Sequence, residues 1–215
     1  MAQEAALDWS LVVPLKVLAE AKSRLAVLSA DGRAELALAM AADTVAAATA
    51  AASVRTVLVI TDDAVVGAEM ERLGALVLAD EPAAGLNEAL TFGAGYAREQ
   101  WPERGVAALA GDLPALRPGE LTTALGAVAP GEQAFVRDAD GTGTTLYAAA
   151  PGTRFEPLFG VASASRHHAA GAEELAVPLS AGLRRDVDTA DDLQRAAEIG
   201  LGPRTTAVLA AAREW

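Results

Sequence analysis

Two groups of carboxylates carry the clearest chemistry in the chain. Asp112 stands in Ala110-Gly111-Asp112-Leu113-Pro114, directly after a short apolar run, and the following Pro stiffens the turn. A carboxylate at such a place suits Mg²⁺, which prefers one or two carboxylates together with substrate phosphates. The plainer use of Asp112 is to cap a turn or the next helix. Asp186 and Asp188 stand in Arg184-Arg185-Asp186-Val187-Asp188-Thr189. Two apart, they share a face if the segment is a strand, and one of them could complete a metal site with Asp112. Asp191 and Asp192 read instead as acids of a first helical turn, where they complement the dipole.

Cations and small polar groups form the second set. Leu15-Lys16 and Ala21-Lys22-Ser23-Arg24-Leu25 make a basic loop just after the first apolar run. Lys offers a compact charge and Arg a bidentate fork, so such a loop can hold a triphosphate, although a few cations on a loop are commonly no more than a solvated surface. Gly141-Thr142-Gly143-Thr144-Thr145 can turn backbone N–H groups and hydroxyls onto an anion, or be an ordinary hairpin turn. In Phe159-Gly160-Val161-Ala162-Ser163-Ala164-Ser165-Arg166-His167 the serines can cap a short helix, whose N-terminus attracts anions. His167 and His168, the two histidines of the chain, have no adjacent carboxylate and read as surface or helix residues rather than a metal pair. No GxSxG elbow, GxxxxGK[ST] loop or GxGxxG turn is present, which removes support from hydrolase, Walker-type and Rossmann readings.

The elements that must position these groups alternate. Strands are expected over Ser10–Pro14, Arg55–Thr61, Ala75–Ala79 and Val106–Ala110. Helices are expected over Arg33–Ala51 with Asp31 as cap, from Asp62-Asp63 to Gly74, over Glu88–Glu99 after Gly85-Leu86-Asn87, and over Pro118–Val128. Such a series implies a mostly parallel sheet with helices on both faces, and ligands then bind beyond the carboxyl ends of the strands. Leu15–Arg24, Asp80–Asn87 and Asp112–Pro114 fall at those ends. Beyond residue 130 the rhythm changes. Gln133–Arg137 and Thr144–Ala149 flank a hairpin-like turn and read as a small appendage. A loop and short helix run through Phe159–Gly171, Arg184–Asp188 reads as a last strand, and two helices close the chain over Thr189–Gly200 and Pro203–Arg213. One domain over residues 1–215 is expected.

Composition bounds the function. The chain has 215 residues, no Cys, a formal net charge of −12 and 52% hydrophobic residues. Disorder and a disulfide scaffold are excluded, and no thiol nucleophile or thiolate metal site can exist. The acidity argues against a nucleic-acid partner, whose phosphates need Lys and Arg, but leaves room for a small anion held at a basic spot or through a cation. No stretch has the look of a signal peptide or membrane span, so a cytoplasmic protein without a membrane partner is expected.

Taken in order, PLK….AKSRL, DEPAAGLNEAL, GDLPAL, DGTGTT, FGVASASRHH and RRDVDTADDL resemble the CofC/FbiD family of guanylyltransferases of coenzyme F420 biosynthesis. The likeness runs from about Val12 to Leu193. Related molybdenum-cofactor guanylyltransferases and sugar-nucleotide pyrophosphorylases carry a LAGGxGxR loop where this chain has VPLK….AKSRL. The resemblance implies a three-layer α/β nucleotidyltransferase fold of the glycosyltransferase-A kind. It implies transfer of GMP from GTP to phosphoenolpyruvate with release of pyrophosphate, or the same reaction on 2-phospho-L-lactate. Another nucleotidyltransferase, using CTP or a sugar phosphate, and a nucleotide-binding regulator are the alternatives. By the family pattern Thr145, Gly160 and Ser163 hold the acceptor, while Asp112 and Asp188, with Asp186 as the other candidate, bind Mg²⁺. Leu15, Lys16, Lys22, Ser23, Arg24, Leu86 and Asn87 meet the nucleotide, and Asp112, Asp188 and Lys22 are the expected catalytic residues. A homodimer is left open.

Overall fold

The computed structural model describes residues 7–15, 30–80, 83–176 and 181–212. The basic loop with Lys16, Lys22, Ser23 and Arg24 lies outside these residues. The first half alternates as the sequence pattern requires: β1 (Trp9–Pro14), α1 (Ala30–Thr49), β2 (Val54–Ile60), α2 (Ala64–Arg72), β3 (Leu76–Leu78), α3 (Leu86–Gln100), β4 (Gly105–Leu109) and α4 (Pro118–Gly126). Local chemistry sets several boundaries. β2 is rich in β-branched residues, which fit a pleated, packed surface. Asp63 caps α2, its carboxylate accepting from the N–H groups of Val65 and Val66 at 2.9 and 3.2 Å. Gly74 follows the helix with φ +86°, a conformation that strains a side chain. α1 begins at Ala30, so Asp31, expected as its cap, lies within the first turn instead, where an acid still favours the dipole.

The second half runs β5 (Gln133–Arg137), β6 (Thr144–Ala149), α5 (Ser163–Ala169), β7 (Glu173–Glu174), α6 (Ala181–Arg184), α7 (Ala190–Ile199) and α8 (Pro203–Ala212). The sheet has seven strands in the order β3-β2-β1-β4-β6-β5-β7. β1 pairs parallel with β2 and β4, and β2 with β3. The hairpin expected as an appendage is instead built into this sheet. β6 lies antiparallel against β4, with Leu109 opposite Leu146, and β5 follows it. The reason is apolar burial. Every residue of β6 is buried, so both its faces need covering.

Alternation along the strands divides the core into two layers. Leu11 and Val13 face a layer with Val45 of α1, Met70 of α2 and Leu121 of α4. Val12, Leu58 and Ile60 face the other, with Leu90 and Ala94 of α3 and Ala164 of α5. α3 approaches the sheet closely at Gly93, where a Cβ would stand 2.6 Å from Val12 Cγ1. A third, smaller cluster joins Leu36, Met40, Ala115, Val187 and Ala196, with Leu209 of α8 against it. Asp43 locks this corner. Its carboxylate, 5% exposed as a residue, accepts from the N–H groups of Arg204 and Thr205 at the start of α8, at 3.1 and 2.8 Å.

His167 is another buried polar anchor: of the surface or helix places expected for it, it takes the helix, within α5 and turned into the core. It is 0% exposed and its ring stacks on Tyr147, with centroids 4.6 Å apart. Leu158 N–H donates to Nε2 at 2.9 Å, so Nε2 carries no proton, and Nδ1 lies 3.0 Å from Thr144 Oγ1. Burial, with the nearby Arg166 charge, pushes the imidazole down from 6.5 to about 4. His168, by contrast, is exposed.

Two outcomes follow for stability. Asp43→Ala should cost about 1–2 kcal/mol in urea unfolding, because two helix-start donors lose their acceptor. For His167, the unfolded chain takes up a proton below pH 6.5 while the folded protein resists to about 4. Its effect is therefore absent above 6.5, and stability falls as pH drops between these values, by about 1.4 kcal/mol per unit. Urea unfolding of His167→Phe across that window should lack this part of the slope.

Candidate active site

The carboxyl ends of β1 and β4 lie side by side where the parallel strand order reverses, the place at which open α/β sheets bind ligands. Leu15 leaves β1 with its N–H on Ile60 O at 2.9 Å. Gly111 leaves β4 against it. A Cβ on Gly111 would stand 2.3 Å from Leu15 Cδ2, so a larger residue there would push the Leu15 side chain aside. Asp112 follows and is half-buried.

The turn that carries Asp112 is fixed from several sides. Leu113 N–H donates to Thr44 Oγ1 of α1 at 3.0 Å, a fully buried bond. Gly202 N–H donates to Pro114 O at 2.7 Å, and Val187 N–H to Asp112 O at 3.2 Å. At Ala115 the backbone oxygen lies 2.1 Å from where a Cβ on Gly182 would be. The bond from Val187 brings the second acidic group to the first.

Arg184–Asp188 is not the strand expected from its sequence. Its backbone bonds go to two different segments, Ala139 N–H to Arg184 O at 2.8 Å and Val187 N–H to Asp112 O, so no ladder forms. Val187 is buried in the small third cluster, and Asp186 and Asp188 flank it. The two acids differ. Asp188 is exposed and opens the capped turn of α7, its N–H 3.4 Å from Asp192 Oδ2. Asp186 is half-buried, and burial followed by the Asp112 carboxylate pushes it up to about 7, with Asp138 and Asp188 adding to the effect. The Asp112 charge is thus felt at Asp186, whereas the family pattern points first to Asp188. Asp191 and Asp192 behave as expected. Asp192 forms a capping box with Thr189, whose hydroxyl donates to Oδ2 at 2.7 Å.

β6 supplies the next wall. Val136 pairs with Leu146, but Arg137 pairs with Thr144, leaving Thr145 as an extra, bulged residue. Its carbonyl accepts from Ala110 N–H at 2.8 Å, tying it to the turn before Asp112. Its hydroxyl is buried, with no hydrogen-bond partner among the described residues. Such an orphan is costly unless something else completes it. The preceding loop is shaped by Asp138, whose carboxylate accepts from the N–H groups of Thr142 and Gly143 at 2.9 and 2.7 Å.

Gly160 and Ser163 sit across a short turn from this wall. Gly160 has φ +115° and is exposed; Ser163 is buried and its N–H donates to Gly160 O at 3.1 Å. Ser163 is the first residue of α5 rather than its cap, a position taken by Ala162 with φ 54°. Ala164 N–H donates to Thr142 O at 3.2 Å, which joins the Thr-rich loop to α5.

Leu86 and Asn87 form the first turn of α3, with Leu86 39% exposed. The Asn87 amide pairs with the Phe159 backbone, its Nδ2 donating to Phe159 O at 3.1 Å and its Oδ1 accepting from Phe159 N–H at 2.8 Å. That double bond mimics a strand pairing and fixes the chain just before Gly160. Asn87 thus acts on the loop that bears Gly160, a role its place in the sequence did not suggest. A groove of about 840 Å³ opens beside it, lined in part by Asn87, Tyr96, Phe155 and Leu158.

The donor set suits a divalent cation. Two neighbouring carboxylates raise each other's proton affinity, and a cation relieves the same repulsion. Among the described residues no cluster of three or more His, Cys, Asp or Glu forms a cation cage. Two carboxylates with the remaining positions left to phosphates is the arrangement Mg²⁺ favours.

Residues 9–207 match the profile of the family described as guanylyl transferase CofC like. The phosphoenolpyruvate guanylyltransferase of Thermomonospora curvata is 54% identical over 207 residues, covering 96% of this chain and 91% of that one. The protein of the same name from Streptomyces avermitilis is 55% identical over 205 residues, covering 95% of each. Among solved structures, a nucleotidyl transferase from Methanothermobacter superposes with a TM-score of 0.62 at 18% identity, over 89% of this chain and 97% of that one. Rv0371c of Mycobacterium tuberculosis in complex with manganese gives 0.53 at 19%, over 89% and 98%. The likeness to the two structures shows the fold, and the match across almost the whole sequence shows more: this chain belongs to the CofC-like guanylyltransferase family.

Proposed function

We propose that the protein transfers GMP from GTP to phosphoenolpyruvate, releasing pyrophosphate. The observation that carries this reading is the buried, unpartnered Thr145 hydroxyl, held by its own carbonyl to the turn before Asp112. Relatives at 54% and 55% identity that bear the name phosphoenolpyruvate guanylyltransferase support it.

In this reaction an acceptor phosphate oxygen forms a bond to the α-phosphorus, and the bond from that phosphorus to the leaving pyrophosphate breaks. The acceptor phosphate is already ionised near neutral pH, so no residue need remove a proton. The work left to the protein is to bring two anions together and hold them in line. Asp112 and Asp186 would hold Mg²⁺, with Asp188 beside them. When bound, the ion neutralises phosphate charge and fixes phosphate orientation. Thr145, Gly160 and Ser163 would bind the acceptor, the hydroxyl and the open backbone supplying donors to its phosphate and carboxylate. Lys16, Lys22 and Arg24 would meet the triphosphate, and the first turn of α3 the nucleoside.

A panel of GTP, CTP and ATP against phosphoenolpyruvate, 2-phospho-L-lactate and a sugar phosphate tests the reading by pyrophosphate release. Turnover should be highest with GTP and phosphoenolpyruvate, and a preference for CTP or a sugar phosphate would overturn it. Asp112→Asn and Asp186→Asn should each lower kcat/KM by about 100-fold or more, Asp188→Asn by less. Full activity in Asp112→Asn would remove it as a ligand.

Metal affinity should depend on pH. Asp186 must lose its proton to bind a cation, and without one it titrates at about 7. The apparent Mg²⁺ affinity should therefore fall by about ten-fold from pH 8 to pH 6. Calorimetric titration in the presence of GTP reads this directly, and an unchanged affinity would place Asp186 outside the metal site.

A further inference from the structure

The three proposed acceptor residues come from different segments: Thr145 from the bulge in β6, Gly160 from the loop before α5, and Ser163 from the start of α5. One buried side chain touches all three segments. His167 belongs to α5, four residues after Ser163 and so on the same face of that helix. Its Nδ1 lies 3.0 Å from the hydroxyl of Thr144, the neighbour of Thr145. Its Nε2 accepts from Leu158 N–H at 2.9 Å, two residues before Gly160.

We propose that His167 is the positioning residue of the acceptor site, its ring setting Thr145, Gly160 and Ser163 at fixed distances from one another. This rests on the reading of those three residues as the acceptor's contacts.

The packing around the ring supports a positional rather than a filling role. Tyr147 stacks on it at 4.6 Å, and Phe159 meets it edge-on at 5.4 Å. An apolar ring would fill the same space without the cost of burying two polar nitrogens. What an apolar ring lacks is directed bonds to two segments at once. Both nitrogens are used here, and the use fixes the tautomer: Nε2 bare toward Leu158, Nδ1–H toward Thr144 Oγ1. A third bond steadies the same loop from outside, since Arg166 donates to Phe159 O at 2.8 Å. Thr144, Leu158 and His167 need not touch the acceptor for this to matter. A shift of an ångström in bound groups costs orders of magnitude in rate.

The test compares His167→Phe, His167→Gln and Thr144→Val with the unaltered protein, at a temperature well below the melting point of each. Phe keeps the stacked ring and loses both bonds. Gln keeps an amide able to reach Leu158 N–H. Val keeps the branched shape of Thr144 and loses its hydroxyl. The expected result for Phe is a rise of about ten-fold in KM for phosphoenolpyruvate with KM for GTP unchanged. Thr144→Val should show a smaller rise in the same direction, and Gln should recover part of the loss. Equal rises in both KM values, or an unchanged acceptor KM in folded variants, would overturn the proposal. If His167→Phe fails to fold, Thr144→Val decides alone, by the same split. Absence of product from the unaltered protein with GTP and phosphoenolpyruvate would instead overturn the acceptor reading on which the proposal stands.

Discussion

Holding two half-buried carboxylates near one another is unfavourable unless a cation joins them, so the fold has to keep them there. The turn after β4 does this. Leu113 is bonded to α1, Pro114 to the residue before α8, Asp112 to Val187, and Ala115 is crowded by Gly182. Each tie comes from a different part of the chain, so Asp112 cannot retreat from Asp186 without disturbing α1, α6 and α8 together. The result is visible in Asp186, whose proton is held to about pH 7 by burial and by Asp112. Under the proposed reading, such a pair would exchange a proton for a divalent ion.

The antiparallel insertion of β6 makes the site two-sided. The parallel strands β1 to β4 supply the acidic turn but nothing to face it. By pairing with β4 in the opposite direction, β6 brings its first residues to the carboxyl end of β4. The bulge then places Thr144 and Thr145 in succession without a partner residue between them. That irregularity lets one hydroxyl reach the His167 ring while the other stays buried beside the Asp112 turn.

Most of this architecture was legible in the sequence. β-branched runs, the Asp63 cap and Gly74 fixed the first four strands and helices to within a few residues, because their causes are local. Gln133–Arg137 and Thr144–Ala149 were located to the residue. Their place in the main sheet was not legible, since it depends on covering a strand buried on both faces, which no short window reveals. Arg184–Asp188 misread for a similar reason. Alternating Asp-Val-Asp has the period of a strand, but its bonds go to the Asp112 turn and to Ala139. His167 gave no signal at all: its partners lie 23 and 9 residues away in the sequence. Thr145, Gly160 and Ser163, proposed to bind the acceptor, were named through the order of motifs rather than through any spacing, and hydrogen bonds join the segments that carry them.

A charge of −12 is an unpromising background for handling two polyanions. Its long-range field does oppose their approach. At contact, however, local groups dominate over surplus charge elsewhere, because exposed charges are screened beyond about 8 Å at physiological salt. Much of the acidic surplus is placed where it has other uses. Asp63 and Asp192 serve helix starts, Asp43 anchors α8, and Asp138 shapes the hairpin loop. Under the proposed reading, the pair at Asp112 and Asp186 would turn part of the remaining excess to advantage, because a site that holds a divalent cation presents positive charge to phosphate. On that reading acidity and anion handling are parts of one arrangement, joined through a divalent ion that carboxylates and phosphates would share.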